Sequence, residues 1–295
     1  MRLVRAIFVL GVIGAAGLWM LARPAPLAAR DVAGLTGDAK HGEAVFWASG
    51  CASCHMALGA KDDAQLVLSG GQRFASPFGT FLAPNISQDA EQGIGKWSML
   101  DLANAITRGV SPAGEHLFPA LPYASYTKMK LQDVADLDAF LKTLPADPTP
   151  SQPHDLSFPF SLRAGVGVWK LLFMNTNWVV SGNLPATADR GRYIAEAMAH
   201  CGECHTPRNF LGGLDRSRWL SGAPNPSGEG RIPNITPAKL TWSEAEIVEY
   251  LTSGFTPEFD SVGGAMVHVV ENLSKLPESD RKAVAEYLKK VVPVE

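Results

Sequence analysis

The sequence predicts an all-α protein of two tandem domains, joined by a linker and preceded by an apolar N-terminal helix. Three observations predict it. The pentapeptide Cys51-Ala52-Ser53-Cys54-His55 returns as Cys201-Gly202-Glu203-Cys204-His205, and the two together use all 4 cysteines of the chain. Each heads a longer repeated pattern whose apolar residues fall at helical spacing, with no convincing alternating strands. An uncharged stretch from Ala6 to Ala22 follows Arg2 and Arg5. At 295 residues, with 46% hydrophobic residues, the chain has room for about two domains. A net charge of −3 offers no basic surface for nucleic acid.

Cys-x-x-Cys-His is the attachment pattern of c-type haem. Two thiols at that spacing form thioethers to the vinyl groups of one haem, and the histidine that follows takes one axial face of the iron. Two copies with no cysteine left over predict two covalently bound haem c groups, one on Cys51, Cys54 and His55, the other on Cys201, Cys204 and His205. A shared zinc ion fits poorly, because paired Cys-x-x-Cys knuckles usually lie about 15–20 residues apart. A thioredoxin-like pair would sit near a βαβ pattern, and neither motif does. Disulfides suit an exported protein but leave the repeated histidine unexplained.

The elements follow in order. Residues 1–29 form an anchor or signal segment. Its apolar run is at the short limit for a spanning helix and slightly long for a signal peptide. Cleavage after Ala29 would put Leu27 where a small residue is usual, and Arg23-Pro24 caps the run with charge and a helix breaker. An uncleaved anchor is the better reading. Arg2 and Arg5 stay on the cytoplasmic side, giving a single-pass protein of the inner membrane with both haem domains in the periplasm.

Domain 1 (38–147) and domain 2 (185–295) repeat one plan. Short helical segments, Gly42 to Trp47 and Gly191 to Met198, precede the two motifs. Loops then reach Pro84-Asn85-Ile86-Ser87 and Pro233-Asn234-Ile235-Thr236. These match a glycosylation acceptor, as does Asn272-Leu273-Ser274, but the recurrence of two at equivalent places favours a structural turn. Trp97-Ser98 and Trp242-Ser243 open amphipathic helices that Gly109 and Gly254 end. Closing helices carry Val134, Leu137 and Leu141, then Val284, Tyr287 and Leu288. The segment 148–184 opens on a proline-rich stretch and contains a short apolar helix, roughly Leu162 to Phe173. That helix reads as an interdomain strut, or as a patch that touches the membrane or a partner.

The sixth iron ligand decides the chemistry. Methionine there suits one-electron transfer, whereas an open face admits a substrate such as peroxide. In domain 2 Met266 is the only methionine after Cys201, and the alternative is a core methionine. In domain 1 Leu121 occupies the place of Met266, counting from Gly109 and Gly254, and leucine cannot bind iron. Met129 is the nearest soft ligand; its rivals are His116, Met99 and an open site. His41 and His200 read as surface or helix-end residues. His154 and His268 have no recurrent partner. Gly70-Gly71 reads as a turn.

Several stretches resemble one family. Ala83-Pro84-Asn85-Ile86-Ser87, Gly93-Ile94-Gly95-Lys96-Trp97-Ser98 and Leu117-Phe118-Pro119-Ala120-Leu121-Pro122-Tyr123 are similar to the cytochrome c subunits of membrane-bound alcohol and gluconate dehydrogenases. So are Arg190-Gly191-Arg192-Tyr193 and Cys201 to Asn209. The resemblance runs from about residue 38 to the C-terminus. It implies electron transfer from a periplasmic dehydrogenase catalytic subunit toward quinone, an oxidase or another cytochrome, with no catalysis by the chain itself. The best-known members commonly carry three haems and attach near the C-terminus; this chain has two motifs and an N-terminal apolar segment. A dihaem peroxidase or sulfur-compound oxidase with an open first haem is the alternative reading.

Overall fold

The computed structural model describes residues 1–226, 228 and 230–295. The chain opens on α1 (Arg2–Leu21), a fully exposed apolar helix of 20 residues with a mean hydropathy of 2.0. The first half then contains α2 (Ala39–Ala48), α3 (Cys51–His55), β1 (Arg73–Ser76), β2 (Gly79–Leu82), α4 (Met99–Arg108), α5 (Tyr123–Tyr126) and α6 (Leu131–Leu141). The segment that follows holds β3 (Asp155–Leu156) and α7 (Arg163–Phe173). The second half contains α8 (Ala186–Tyr193), α9 (Gly202–His205), β4 (Ala223–Pro224), β5 (Arg231–Ile232), α10 (Glu244–Ser253), α11 (Met266–Ser274) and α12 (Glu278–Lys290).

Helices dominate because the caps and the apolar spacing agree. Ser98 and Ser243 begin α4 and α10 with capping boxes closed by Asp101 and Glu246. Gly109 and Gly254 end the same helices in the left-handed region, at φ 59° and 79°. In each half the helix before the cysteine motif crosses the closing helix, α2 on α6 and α8 on α12. Both crossings turn on a glycine. A Cβ at Gly42 would lie 1.9 Å from the Asp136 carbonyl oxygen and 2.9 Å from Cβ of Phe140. A Cβ at Gly191 would lie 1.9 Å from the Ala283 carbonyl oxygen and 2.8 Å from Cβ of Tyr287. One crossing has been written twice.

The copies differ by one residue. Gly191 follows Gly42 by 149 positions, whereas Cys201 follows Cys51 by 150. The extra residue is absorbed as a π-helical turn over Ile194–Met198, continuous with α8. Within it Glu196 is fully buried and accepts hydrogen bonds from Val179 N, Val180 N and the Tyr287 hydroxyl. The added turn thus ties the incoming linker to α12.

Two small sheets depart from the purely helical expectation. β1 and β2 form a hairpin, β3 adds to its edge, and β4 pairs with β5, all antiparallel. The linker is therefore not free chain. Asp155–Leu156 is a strand of the first half's sheet, and Asn85 Nδ2 donates to the carbonyl of Thr149 at 2.8 Å. The apolar helix α7 contacts both halves: Trp169 stacks edge-on to Tyr123 and donates from Nε1 to Leu211 O.

Candidate haem-binding sites

Each cysteine motif follows a residue in the left-handed region, Gly50 at φ 65° and His200 at φ 41°. That turn drives the chain from the preceding helix into α3 or α9. In the first copy the His55 carbonyl accepts from Gly70 N at 2.7 Å, and the ring donates from Nδ1 to Pro84 O at 2.8 Å. In the second, His205 O accepts from Gly222 N at 2.7 Å and its Nδ1 donates to Pro233 O at 2.8 Å. A hydrogen bond at Nδ1 places the proton there and leaves Nε2 as the lone-pair nitrogen, the arrangement of a metal-bound histidine. Among the described residues Nε2 of neither ring has a hydrogen-bond partner.

The proline carbonyls are held by the asparagines that follow them. Asn85 is buried; its Oδ1 accepts from Ser87 N, and its Nδ2 donates to Asp147 O and Thr149 O, all at 2.8 Å. Asn234 repeats this with Thr236 N at 2.8 Å and Val294 O at 2.7 Å. The acceptor-like tripeptides are turns that aim a carbonyl at a histidine.

Burial depresses the pKa of His55 and of His205, outweighing the carbonyl bonds that raise it, so both rings are neutral at neutral pH. Burial also pushes the thiols up, Cys51 and Cys201 to about 12 and Cys54 to about 11. Zinc knuckles and redox dithiols need thiolates stabilised by nearby positive charge; these environments disfavour them. All 4 cysteines are unpaired. Among the described residues the one cluster spaced to hold a metal ion is His41, Asp133 and Asp136, away from both motifs.

The axial candidates sit differently in the two halves. Met129 is buried, and its amide donates to Tyr126 O at 2.9 Å. The Tyr126 hydroxyl reaches back to Ser49 O at 2.8 Å, just ahead of Cys51. Met266 is half-buried at the first position of α11, where the first half has only the short α5, and packs against the core. His116 is committed elsewhere: Nε2 donates to Ala22 O at 2.8 Å, and Nδ1 accepts from Lys170 Nζ at 3.1 Å. With both nitrogens occupied it offers no lone pair to iron. Met99 opens α4 and packs on the core as an ordinary helix residue. His200 is not merely a surface residue; it is half-buried, edge-on to Tyr126 of the first half at 5.6 Å.

The motifs also meet across the junction of the halves, which spacing alone could not show. Asn272 Nδ2 donates to Ser53 Oγ at 2.6 Å, and Ser125 Oγ donates to Glu203 Oε1 at 3.3 Å. Ser53 and Glu203 are the same position of the repeated motif. Ser125 and Asn272 are equivalent when Leu141 is matched to Leu288. The two bonds are thus mates about a pseudo-two-fold relation. Glu203 is further paired with Arg208, and the proximity of Cys204 adds to the rise at Cys54. Beside the second motif Gly202 lies under Trp219, where a Cβ would fall 2.1 Å from the ring. The recurrence of Pro-Asn-Ile was the one sequence signal for this second layer of residues.

A family model for cytochrome c matches residues 39–145. A dihaem c-type cytochrome of Cereibacter sphaeroides is 56% identical over 282 residues, covering 96% of this chain and 95% of that one. The chain belongs to the dihaem c-type cytochromes. This cytochrome carries two covalently bound haem c groups, and free thiols beside a neutral, carbonyl-bonded histidine fit them at both motifs. The cytochrome subunit of fructose dehydrogenase from Gluconobacter japonicus is 36% identical over 83% of this chain and 50% of its own. The cytochrome c subunit of the quinone-dependent alcohol dehydrogenase of Gluconobacter oxydans is 31% identical, over 86% of this chain and 55% of its own. This cytochrome spans about half the length of those two relatives.

Proposed function

We propose that this dihaem cytochrome is a single-electron relay rather than an enzyme. It receives electrons from the catalytic subunit of a periplasmic dehydrogenase and passes them to quinone, an oxidase or another cytochrome. In this reading two tandem cytochrome c domains, 38–147 and 185–295, are joined by 148–184. The first holds its haem by Cys51, Cys54 and His55 with Met129 as second axial ligand. The second does so by Cys201, Cys204 and His205 with Met266. The N-terminal helix anchors the chain in the inner membrane, with both domains in the periplasm.

The observation that carries the reading is the duplicated histidine geometry. Nδ1 of His55 and of His205 each donates to a proline carbonyl at 2.8 Å from a turn of the same construction. Bound haem supplies reversible one-electron chemistry, and methionine ligation raises its potential. The protein's part is to hold each imidazole neutral, oriented and rigid. The dehydrogenase partner rests on relatives that are cytochrome subunits of such enzymes. The membrane location rests on the length and exposure of α1.

The test is the optical and magnetic-resonance spectrum of the oxidised protein, compared with Met129→Ala and Met266→Ala. Two low-spin haems, each disturbed by one substitution, are expected. A high-spin first haem indifferent to Met129→Ala would remove that ligand and favour the dihaem-enzyme alternative.

A further inference from the structure

The helix α7 buries Val166 and Gly167 but leaves large apolar side chains outside. A surface helix normally turns apolar residues inward and polar ones to water. Here both basic residues are turned to the protein: Arg163 donates to His116 O at 2.7 Å, and Lys170 Nζ donates to Arg108 O at 2.8 Å and Gly109 O at 2.7 Å. Arg163 stays partly exposed at the first turn, and the last turn is apolar outward. Leu171 is 50% and Leu172 62% exposed, and Leu162, one position before the helix, is exposed too. The surface continues through Phe158 at 80% and Phe160 on the chain entering α7. Phe210, 87% exposed, extends it on the loop that Trp169 Nε1 grips through Leu211 O. Monomeric soluble proteins rarely leave so many contiguous large apolar side chains in water.

The position of this face says what covers it. The end of α1 is clamped to α7. The carbonyl of Ala22, the residue capping α1, accepts from His116 Nε2 at 2.8 Å, and the same His116 is held by Lys170 of α7. Gly167 of α7 lies against that carbonyl so closely that a Cβ would fall 2.1 Å from the oxygen. Astride the clamp the Arg23 guanidinium covers the Trp19 ring at 3.9 Å, a residue pair suited to the membrane–water boundary. A span ending at Ala22 therefore emerges at the edge of α7.

We propose that α7 and its approach, residues 158–172, lie in the outer interface of the lipid bilayer, with Leu171, Leu172 and Phe158 in the acyl boundary. This rests on the reading of α1 as a membrane anchor. Together with the Ala22–His116 clamp it makes a two-point attachment that fixes the haem domains against the membrane.

The test uses the full-length holoprotein in phosphatidylcholine–phosphatidylglycerol nanodiscs carrying a diazirine-labelled phospholipid. After illumination, lipid adducts are mapped by mass spectrometry. Adducts on both α1 and 158–172 are expected. A Leu171→Glu/Leu172→Glu variant should lose those on 158–172 while keeping those on α1 and an unchanged haem spectrum. Adducts on α1 alone in the unmodified protein would overturn the interfacial helix and leave the anchor standing. Absence from both would overturn the anchor reading and the proposal with it. Protein–protein adducts through 158–172 in place of lipid would show that a protein covers this face, and would overturn it too.

Discussion

Asn85→Ala should cost this protein more than the equivalent Asn234→Ala, and the structure says by how much. Asn85 is 3% exposed and holds three backbone groups: Ser87 N, Asp147 O and Thr149 O. Alanine keeps the backbone but removes all three bonds; Asp147 stays tied to Ser87, whose Oγ donates to Asp147 O at 3.2 Å and accepts from Asp147 N at 3.0 Å. At about 1 kcal/mol per hydrogen bond the loss is about 3 kcal/mol. Asn234 is half-buried and bonds Thr236 N and the carbonyl of Val294, close to the C-terminus. Thr236 Oγ1 makes the matching tie to Val294, at 3.3 Å to its O and 3.2 Å from its N, so the difference lies in one bond fewer lost and in water that can reach the site. Its loss should be about 1–2 kcal/mol. The assay is guanidinium denaturation of the holoproteins followed by far-ultraviolet circular dichroism, with the haem absorbance recorded for each variant. Asn85→Ala should also perturb the haem spectrum, because the turn that aims Pro84 O at His55 loses its brace. The reasoning is refuted if Asn85→Ala lies within about 0.5 kcal/mol of the unmodified protein, the range of an ordinary surface change. It is equally refuted if Asn234→Ala is the costlier of the two.

Two further outcomes follow from the packing and the charges. Gly42→Ala and Gly191→Ala each drive a methyl group into a carbonyl of the closing helix, at 1.9 Å in both cases. Each should lower the unfolding free energy by about 3 kcal/mol, and unequal effects would mean that the two crossings are not the same device. Asp136 is buried, which raises its pKa, but bonds from Asp38 N, His41 and Gln132 outweigh burial and hold it below the ordinary carboxylate value. Its stabilisation is therefore full above the unfolded pKa of about 4 and is lost as pH falls through the lower folded value. Stability curves between neutral and strongly acid pH should show a shallower acid loss for Asp136→Asn; an identical loss would sink the assignment.

Much of the fold was legible because its signals are local. The capping serines Ser98 and Ser243 and the terminating glycines Gly109 and Gly254 act within one turn of the residues they cap, so spacing alone located α4 and α10. The short sheets were not legible. β3 is two residues drawn from the linker and paired with β2 more than seventy positions away, and two residues carry no periodicity. The π-turn was visible only as a one-residue slip between two repeats, and the counterpart of α11 in the first half, α5, is four residues and too short to show a helical period.

The candidate sites divide in the same way. The two Cys-x-x-Cys-His motifs are contiguous, so the sequence by itself determined how many haem groups to expect, marked the candidate places for them and showed that the pattern recurs. It also marked Pro84-Asn85 and Pro233-Asn234 as recurrent without saying what they do. Only the tertiary structure decided that those prolines supply the carbonyls for His55 and His205. Only it removed His116 from the axial candidates by occupying both ring nitrogens, and set Ser53 and Glu203 against the opposite half. The physical reason is one of range. A covalent motif and a helix cap are written in neighbouring residues, whereas the direction of a hydrogen bond depends on where distant backbone lands after the core has closed.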